Sequence, residues 1–115
     1  MKVWKVWKPK GVYTHHALCI EGVGVFENTS ENGPTWTSWD SFSNGARWGA
    51  AVVENANISA ILDRIQRVFR SGLRYDAASF NCEHAVSYVL TGQKESPQLQ
   101  GTMAVGALAL LLLLL

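Results

Sequence analysis

The sequence has few of the features that mark specialised protein classes. It contains two cysteines, Cys19 and Cys82, among 115 residues, fewer than small secreted domains use as disulfide staples. Free thiols in a reducing, cytoplasmic compartment are therefore expected. The formal net charge of +1 gives no general attraction to nucleic acid, so no nucleic-acid partner is predicted. Zinc-type Cys/His spacing and phosphate-binding glycine loops are missing, so no metal or other cofactor is predicted.

A long apolar run occurs at the C-terminal end of the sequence and not at the start. Residues 1–10 hold four lysines, which is unlike a secretory signal. Residues 103–115 carry no charge and end in six leucines. A helix of this run would span roughly 20 Å, at about 1.5 Å per residue, against about 30 Å for a bilayer core. Because six leucines leave no polar face, we predict that residues 99–115 are a hydrophobic tail and membrane anchor.

The pattern of the remaining residues predicts strands first and helices afterwards. Apolar residues recur at helical spacing from Ile58 to Phe69, between a capping Asn57 and a terminating Gly72. This order predicts an α+β fold, an antiparallel sheet with helices packed on one side. Strands are predicted over Val12–Ile20, Gly22–Phe26, Trp36–Phe42 and Arg47–Glu54, with a loop over Asn28–Pro34. The segment Lys2–Trp7, rich in Val and Trp, is predicted to be a first strand or an interfacial segment.

A second helix is predicted to begin near Cys82. Ser79 or Asn81 can cap it through a side-chain oxygen, and Gly92 can end it. Val86 lies one turn beyond Cys82, so the thiol is expected on the buried face. The positive end of the helix dipole favours the thiolate, which is the nucleophilic form of cysteine.

A nucleophilic Cys82 needs a base from elsewhere in the chain. His84 lies two residues further along the same helix and faces another way, so a structural hydrogen bond is predicted for it. His15 and His16 are neighbours on a predicted strand, and only one of them can face the thiol. The small residues that share a face with His15 leave room for a helix end and favour it weakly.

An imidazole base also needs a third group that fixes its tautomer. Glu27 and Asn28, at the end of the next strand, can each supply one, and a carboxylate would also raise the basicity of the imidazole. A strand histidine or an apolar-face cysteine is usually structural when taken alone, but together with the capped helix start they favour a thiol enzyme. Cys19 has no charged neighbour on its strand and is predicted to be packed.

Two sequence blocks resemble the lecithin:retinol acyltransferase-like family. The run Asn81-Cys82-Glu83-His84-Ala85-Val86, followed by Leu90-Thr91-Gly92, is similar to the block around that family's nucleophile. The run His15-His16-Ala17-Leu18-Cys19-Ile20 is similar to its histidine block. The likeness extends from about Val3 to about Gln98, with a gap between Glu31 and Ala50. The resemblance implies a catalytic domain over residues 1–98 with a circularly permuted version of the papain-like NlpC/P60 architecture.

The resemblance also implies roles for individual residues. The first histidine of the block, His15, would be the base, and His16 takes the place of a usual aromatic residue. The family's third catalytic residue, commonly a histidine, follows twelve positions later, which here is Glu27. Asn81, His16 and Asn28 are the expected supporting residues.

The implied activity is that of a thiol-dependent phospholipase A or acyltransferase at a phospholipid membrane, with the acyl acceptor open. Two alternatives remain. The first is a cysteine peptidase or amidase of the NlpC/P60 type. The second is a non-catalytic membrane-binding module, which the glutamate at position 27 supports best.

Overall fold

The structure, a computed structural model, describes residues 1–101. The predicted anchor beyond residue 101 lies outside the described residues. Between residues 1 and 101, no helix is both long and apolar enough to cross a membrane. This part of the chain holds five strands and three helices, in the order β1 Val3–Lys10, β2 Tyr13–Ile20, β3 Gly24–Thr29, β4 Gly33–Thr37, α1 Trp39–Ser43, β5 Gly49–Val52, α2 Ile58–Ser71 and α3 Cys82–Thr91. Residues 97–101 are also helical.

The strands form one sheet in the order β4-β3-β2-β1-β5, and every neighbouring pair is antiparallel. The α+β class predicted from the sequence is therefore confirmed. The sheet places β2 at its centre, where its side chains are covered on both faces. This central position explains why β2 carries apolar residues at successive positions as well as alternate ones.

The helices lie on both faces of the sheet. The long helices α2 and α3 cover one face, where Leu18 and Phe26 pack against Ile65 and Val86. The short helix α1 covers the other face, where its Phe42 packs in a second cluster. The prediction that all helices pack on one side is therefore right for α2 and α3 but wrong for α1.

The segment from Asn28 to Phe42 also differs from the prediction. Strand β3 continues to Thr29 and β4 begins at Gly33, so the predicted loop shrinks to a three-residue turn. The predicted strand over Trp36–Phe42 is wrong, because β4 ends at Thr37 and α1 follows at once. The side chain of Ser38 accepts a hydrogen bond from the Ser41 amide and caps this helix. The loose alternation of aromatic and polar residues in this segment is typical of a strand and gives no sign of the cap.

The site depends on where β2 and β3 separate. Their pairing runs from Ile20 opposite Gly24 to Ala17 opposite Glu27, and it stops there. The first residues of β2, including His15, continue along β1 without a partner on the β3 side. The gap that results between the two strands receives the start of α3.

Candidate active site

The start of α3 is fixed by a reciprocal capping arrangement. The side chain of Asn81 accepts a hydrogen bond from the His84 amide at 3.0 Å, and Nδ1 of His84 accepts one from the Asn81 amide at 3.0 Å. Asn81, and not Ser79, is therefore the cap, and His84 makes the structural hydrogen bond predicted for it. Burial, reinforced by the charge of Lys94, lowers the pKa of His84, which keeps Nδ1 available as an acceptor.

This capped turn lies between β2 and β3. Nδ2 of Asn28 donates to the carbonyl oxygens of Phe80, at 2.8 Å, and of Asn81, at 3.3 Å. The Sγ atom of Cys82 lies 3.9 Å from the carbonyl oxygen of Thr14 on β2. Cys82, the first residue of the helix, is only 2% exposed, as the predicted buried face requires.

Asn28 therefore supports the backbone just before Cys82 and does not contact the imidazole as a third group. Its side chain is 1% exposed, and its two donor contacts occupy the amide nitrogen. The Oδ1 atom of Asn28 has no hydrogen-bond partner among the described residues.

His15 meets both of the groups that a thiol enzyme requires. Its Nε2 atom lies 2.9 Å from Oε1 of Glu27. Its imidazole also interacts with the Cys82 side chain, which raises the pKa of His15. Because Nε2 is engaged by the carboxylate, Nδ1 is the atom left to face the thiol. The imidazole is 1% exposed and rests against the ring of Phe42, with 5.9 Å between centroids. The structure thus brings Cys82, His15 and Glu27 together.

The surroundings of His15 favour its protonated form. Burial is the largest single influence and lowers its pKa, but hydrogen bonds to Cys82 and Glu27, with their charges, outweigh it and leave the pKa raised. An imidazole with a raised pKa is a stronger base toward the thiol. Glu27 therefore makes the contact with the imidazole that was expected of a third residue.

His16 lies on the opposite face of β2 and does not join this group. Its Nε2 atom is 3.7 Å from Oε2 of Glu83, and its ring lies beside that of Trp7. Burial is the main cause that lowers the pKa of His16. His16 therefore supports the site through its contact with Glu83, the residue that follows Cys82, and not through the imidazole of His15.

A cleft of about 150 Å³ opens at the thiol of Cys82, and Tyr13 and Tyr75 form part of its lining. Burial, followed by the charges of Tyr13 and Cys82, raises the pKa of Tyr75, so its phenol stays protonated. No spacing pattern in the sequence points to the tyrosines or to Gln98, because they come from a strand start, a link and the segment after α3. The cleft is lined by Tyr13, Tyr75, Asn81, Cys82, Gln98 and Leu99.

The second thiol has a different environment. Cys19 is a free, half-buried thiol on the α1 face, where it borders an apolar cavity of about 310 Å³ with Trp4 and Trp39. Burial raises the pKa of Cys19, so it stays protonated and packed, as predicted. Within residues 1–101, no cluster of three or more metal-binding side chains occurs.

No family model, curated protein or solved structure matches this chain. A buried thiol at a helix start, an imidazole beside it and a carboxylate behind the imidazole can carry out nucleophilic acyl transfer.

Proposed function

We propose that this chain is a thiol-dependent phospholipase A or acyltransferase that acts on glycerophospholipid acyl esters through a Cys82 thioester. The observation that carries the proposal is the position of His15, whose Nε2 atom lies 2.9 Å from Oε1 of Glu27 and whose pKa is raised by its interactions with Cys82 and Glu27. Buried cysteines and strand histidines are common separately, but this three-residue chain with a cleft at the thiol is typical of nucleophilic catalysis.

The first half of the reaction forms the thioester. His15 takes the proton of Cys82, and Glu27 stabilises the imidazolium. The thiolate sulfur attacks the ester carbonyl carbon, and the carbonyl oxygen becomes an oxyanion. The backbone N–H of Cys82, which has no intrahelical acceptor at the first position of α3, can donate to that oxyanion. The ester C–O bond then breaks, and the lysophospholipid oxygen takes the proton back from His15.

The second half transfers the acyl group. His15 removes a proton from water, an alcohol or an amine, whose oxygen or nitrogen attacks the thioester carbonyl. The C–S bond breaks and the proton from His15 restores the thiol of Cys82. Water as acceptor gives hydrolysis, and an alcohol or amine gives acyl transfer.

The lipid substrate class rests on two sequence features. These are the resemblance around Cys82 and His15 to the lecithin:retinol acyltransferase-like family and the apolar run of residues 103–115. The permuted papain-like architecture is part of the same proposal. A peptidase or amidase would use the same three residues, so substrate tests must separate it from the lipid enzyme. The contact between Glu27 and His15 weakens the main argument for a non-catalytic module.

The test uses the full chain in detergent with phosphatidylcholine. Intact-mass spectrometry is expected to show a fatty-acyl adduct on the parent chain and none on Cys82→Ala. Cys19→Ala is the matched control, since it removes the other thiol and should keep the adduct. A folded parent chain that forms no adduct and releases no fatty acid would contradict the lipid-enzyme proposal and direct attention to peptides and to simple membrane binding.

A further inference from the structure

The residues that follow α3 hold the start of that helix. Ser96 is 1% exposed, and its hydroxyl accepts from Nδ2 of Asn81 and donates to Oε1 of Glu83, both at 2.9 Å. The same Glu83 oxygen accepts from the Gln98 amide at 3.0 Å. Because Asn81 and Glu83 flank Cys82, this segment is fixed directly to the two neighbours of the nucleophile.

The same segment also holds the strand of the base. Oε1 of Gln98 accepts from the Thr14 amide at 2.9 Å, and Nε2 of Gln98 donates to the Thr14 carbonyl at 2.9 Å. These are the two bonds that one residue exchanges with its partner in an antiparallel sheet. Thr14 precedes His15 in the part of β2 that β3 no longer pairs with. The Gln98 side chain thus makes the two hydrogen bonds to Thr14 that a paired β3 residue would otherwise make.

We propose that residues 96–98 form a positioning clasp, in which Gln98 and Ser96 set the placement of Cys82 against His15. The catalytic meaning of the clasp rests on the proposed function. The Thr14 carbonyl that receives Nε2 of Gln98 is also the one that lies 3.9 Å from Sγ of Cys82. Nucleophile and base belong to elements far apart in the sequence, and misplacement by about 1 Å can cost on the order of a hundredfold in rate.

The clasp is tested by Gln98→Ala in the full chain, in detergent and in a Cys19→Ala background. The rate of Cys82 alkylation by iodoacetamide at neutral pH is expected to fall by roughly ten- to a hundredfold. The imidazole titration of His15, followed by NMR, is expected to move down towards the ordinary histidine value, because the contact with Cys82 contributes to its raised pKa. A segment that only stabilised the fold would leave the His15 titration unchanged.

Two further variants sharpen the test. Gln100→Ala is the matched control, because Gln100 is exposed and lies in the same short helical stretch. It should change neither readout. Gln98→Glu keeps the acceptor for the Thr14 amide and loses the donor to the Thr14 carbonyl. It is expected to slow alkylation as well, and it provides a second folded variant if Gln98→Ala does not fold by circular dichroism.

Unchanged alkylation and unchanged His15 titration in a folded Gln98 variant would overturn the clasp, and so would an equal loss in Gln100→Ala. Neither readout requires lipid. A parent chain whose Cys82 is alkylated rapidly but forms no acyl adduct would therefore count against the lipid chemistry alone. The effect of Gln98→Ala on the alkylation rate would still test the clasp.

Discussion

At the scale of single residues, the carboxylate of Glu27 helps Cys82 to raise the pKa of His15. It lies 2.9 Å from Nε2 of His15, and the two side chains are 12% and 1% exposed. A hydrogen bond between buried charged groups is stronger than one at the surface. Since the pKa of His15 is raised in the folded state, the folded chain binds a proton more tightly there than the unfolded chain does.

This linkage predicts a pH-dependent effect of Glu27→Gln on stability. Protonated His15 stabilises the fold below about pH 6.5, and this contribution is lost as the pH rises through its raised pKa. Glu27→Gln removes the charge that favours the proton. Urea denaturation should show a loss of about 1 kcal/mol in unfolding free energy at about pH 6 and a smaller loss at about pH 9.

Glu54→Gln is the control for this prediction, because Glu54 is exposed and remote from the histidine in the sequence. It should change stability little at either pH. A loss for Glu27→Gln that was equal at both pH values would show that the carboxylate acts only through packing, and not through the charge of His15.

At the scale of secondary structure, α2 and α3 begin with the same kind of cap but serve different purposes. The Asn57 side chain accepts from the Ala60 amide at 3.1 Å and caps α2. The Asn81 side chain caps α3 and also donates to Ser96. Loss of an asparagine cap typically costs about 1 kcal/mol in stability. Only the second cap is the residue directly before Cys82.

The pair Asn81→Ala and Asn57→Ala separates stability from reactivity. Both variants should lower the unfolding free energy by about 1 kcal/mol in chemical denaturation. Only Asn81→Ala should slow alkylation of Cys82, by roughly tenfold, because the helix start and its bond to Ser96 are disturbed together. Equal alkylation rates in the two variants would mean that the cap does not position the thiol.

The success of sequence-based prediction varied between elements for physical reasons. Helix α2 was predicted closely, since its apolar spacing and both of its caps are local signals. The start of α3 was predicted because Asn81 is a strong capping residue. Helix α1 was missed, because five residues are too few to show helical periodicity. The contact of Gln98 with Thr14 spans 84 positions, and no local pattern encodes a contact of that range.

At the scale of the whole molecule, the fold gives its two thiols opposite environments. Cys82 lies where β2 and β3 separate, beside His15 and a cleft. Cys19 lies among tryptophans on the α1 face, where burial raises its pKa. The same reagent can therefore compare an assisted thiol with an unassisted one in a single chain.

Iodoacetamide at neutral pH is expected to modify Cys82 at least about ten times faster than Cys19, because only Cys82 has a base beside it. Peptide mass spectrometry of the parent chain measures both rates, and Cys19→Ala and Cys82→Ala confirm the assignments. Equal, slow rates at the two cysteines would favour the non-catalytic membrane-binding module.

The closure of the site by Thr14 and Gln98 also bears on biosynthesis. These contacts join residues near the two ends of the described chain, so they cannot form until nearly all of that chain has left the ribosome. Until then, Gln98 does not hold Thr14, and the clasp that we propose to position Cys82 against His15 is incomplete. We therefore expect Cys82 to gain its full reactivity only with the last part of the described domain to be synthesised.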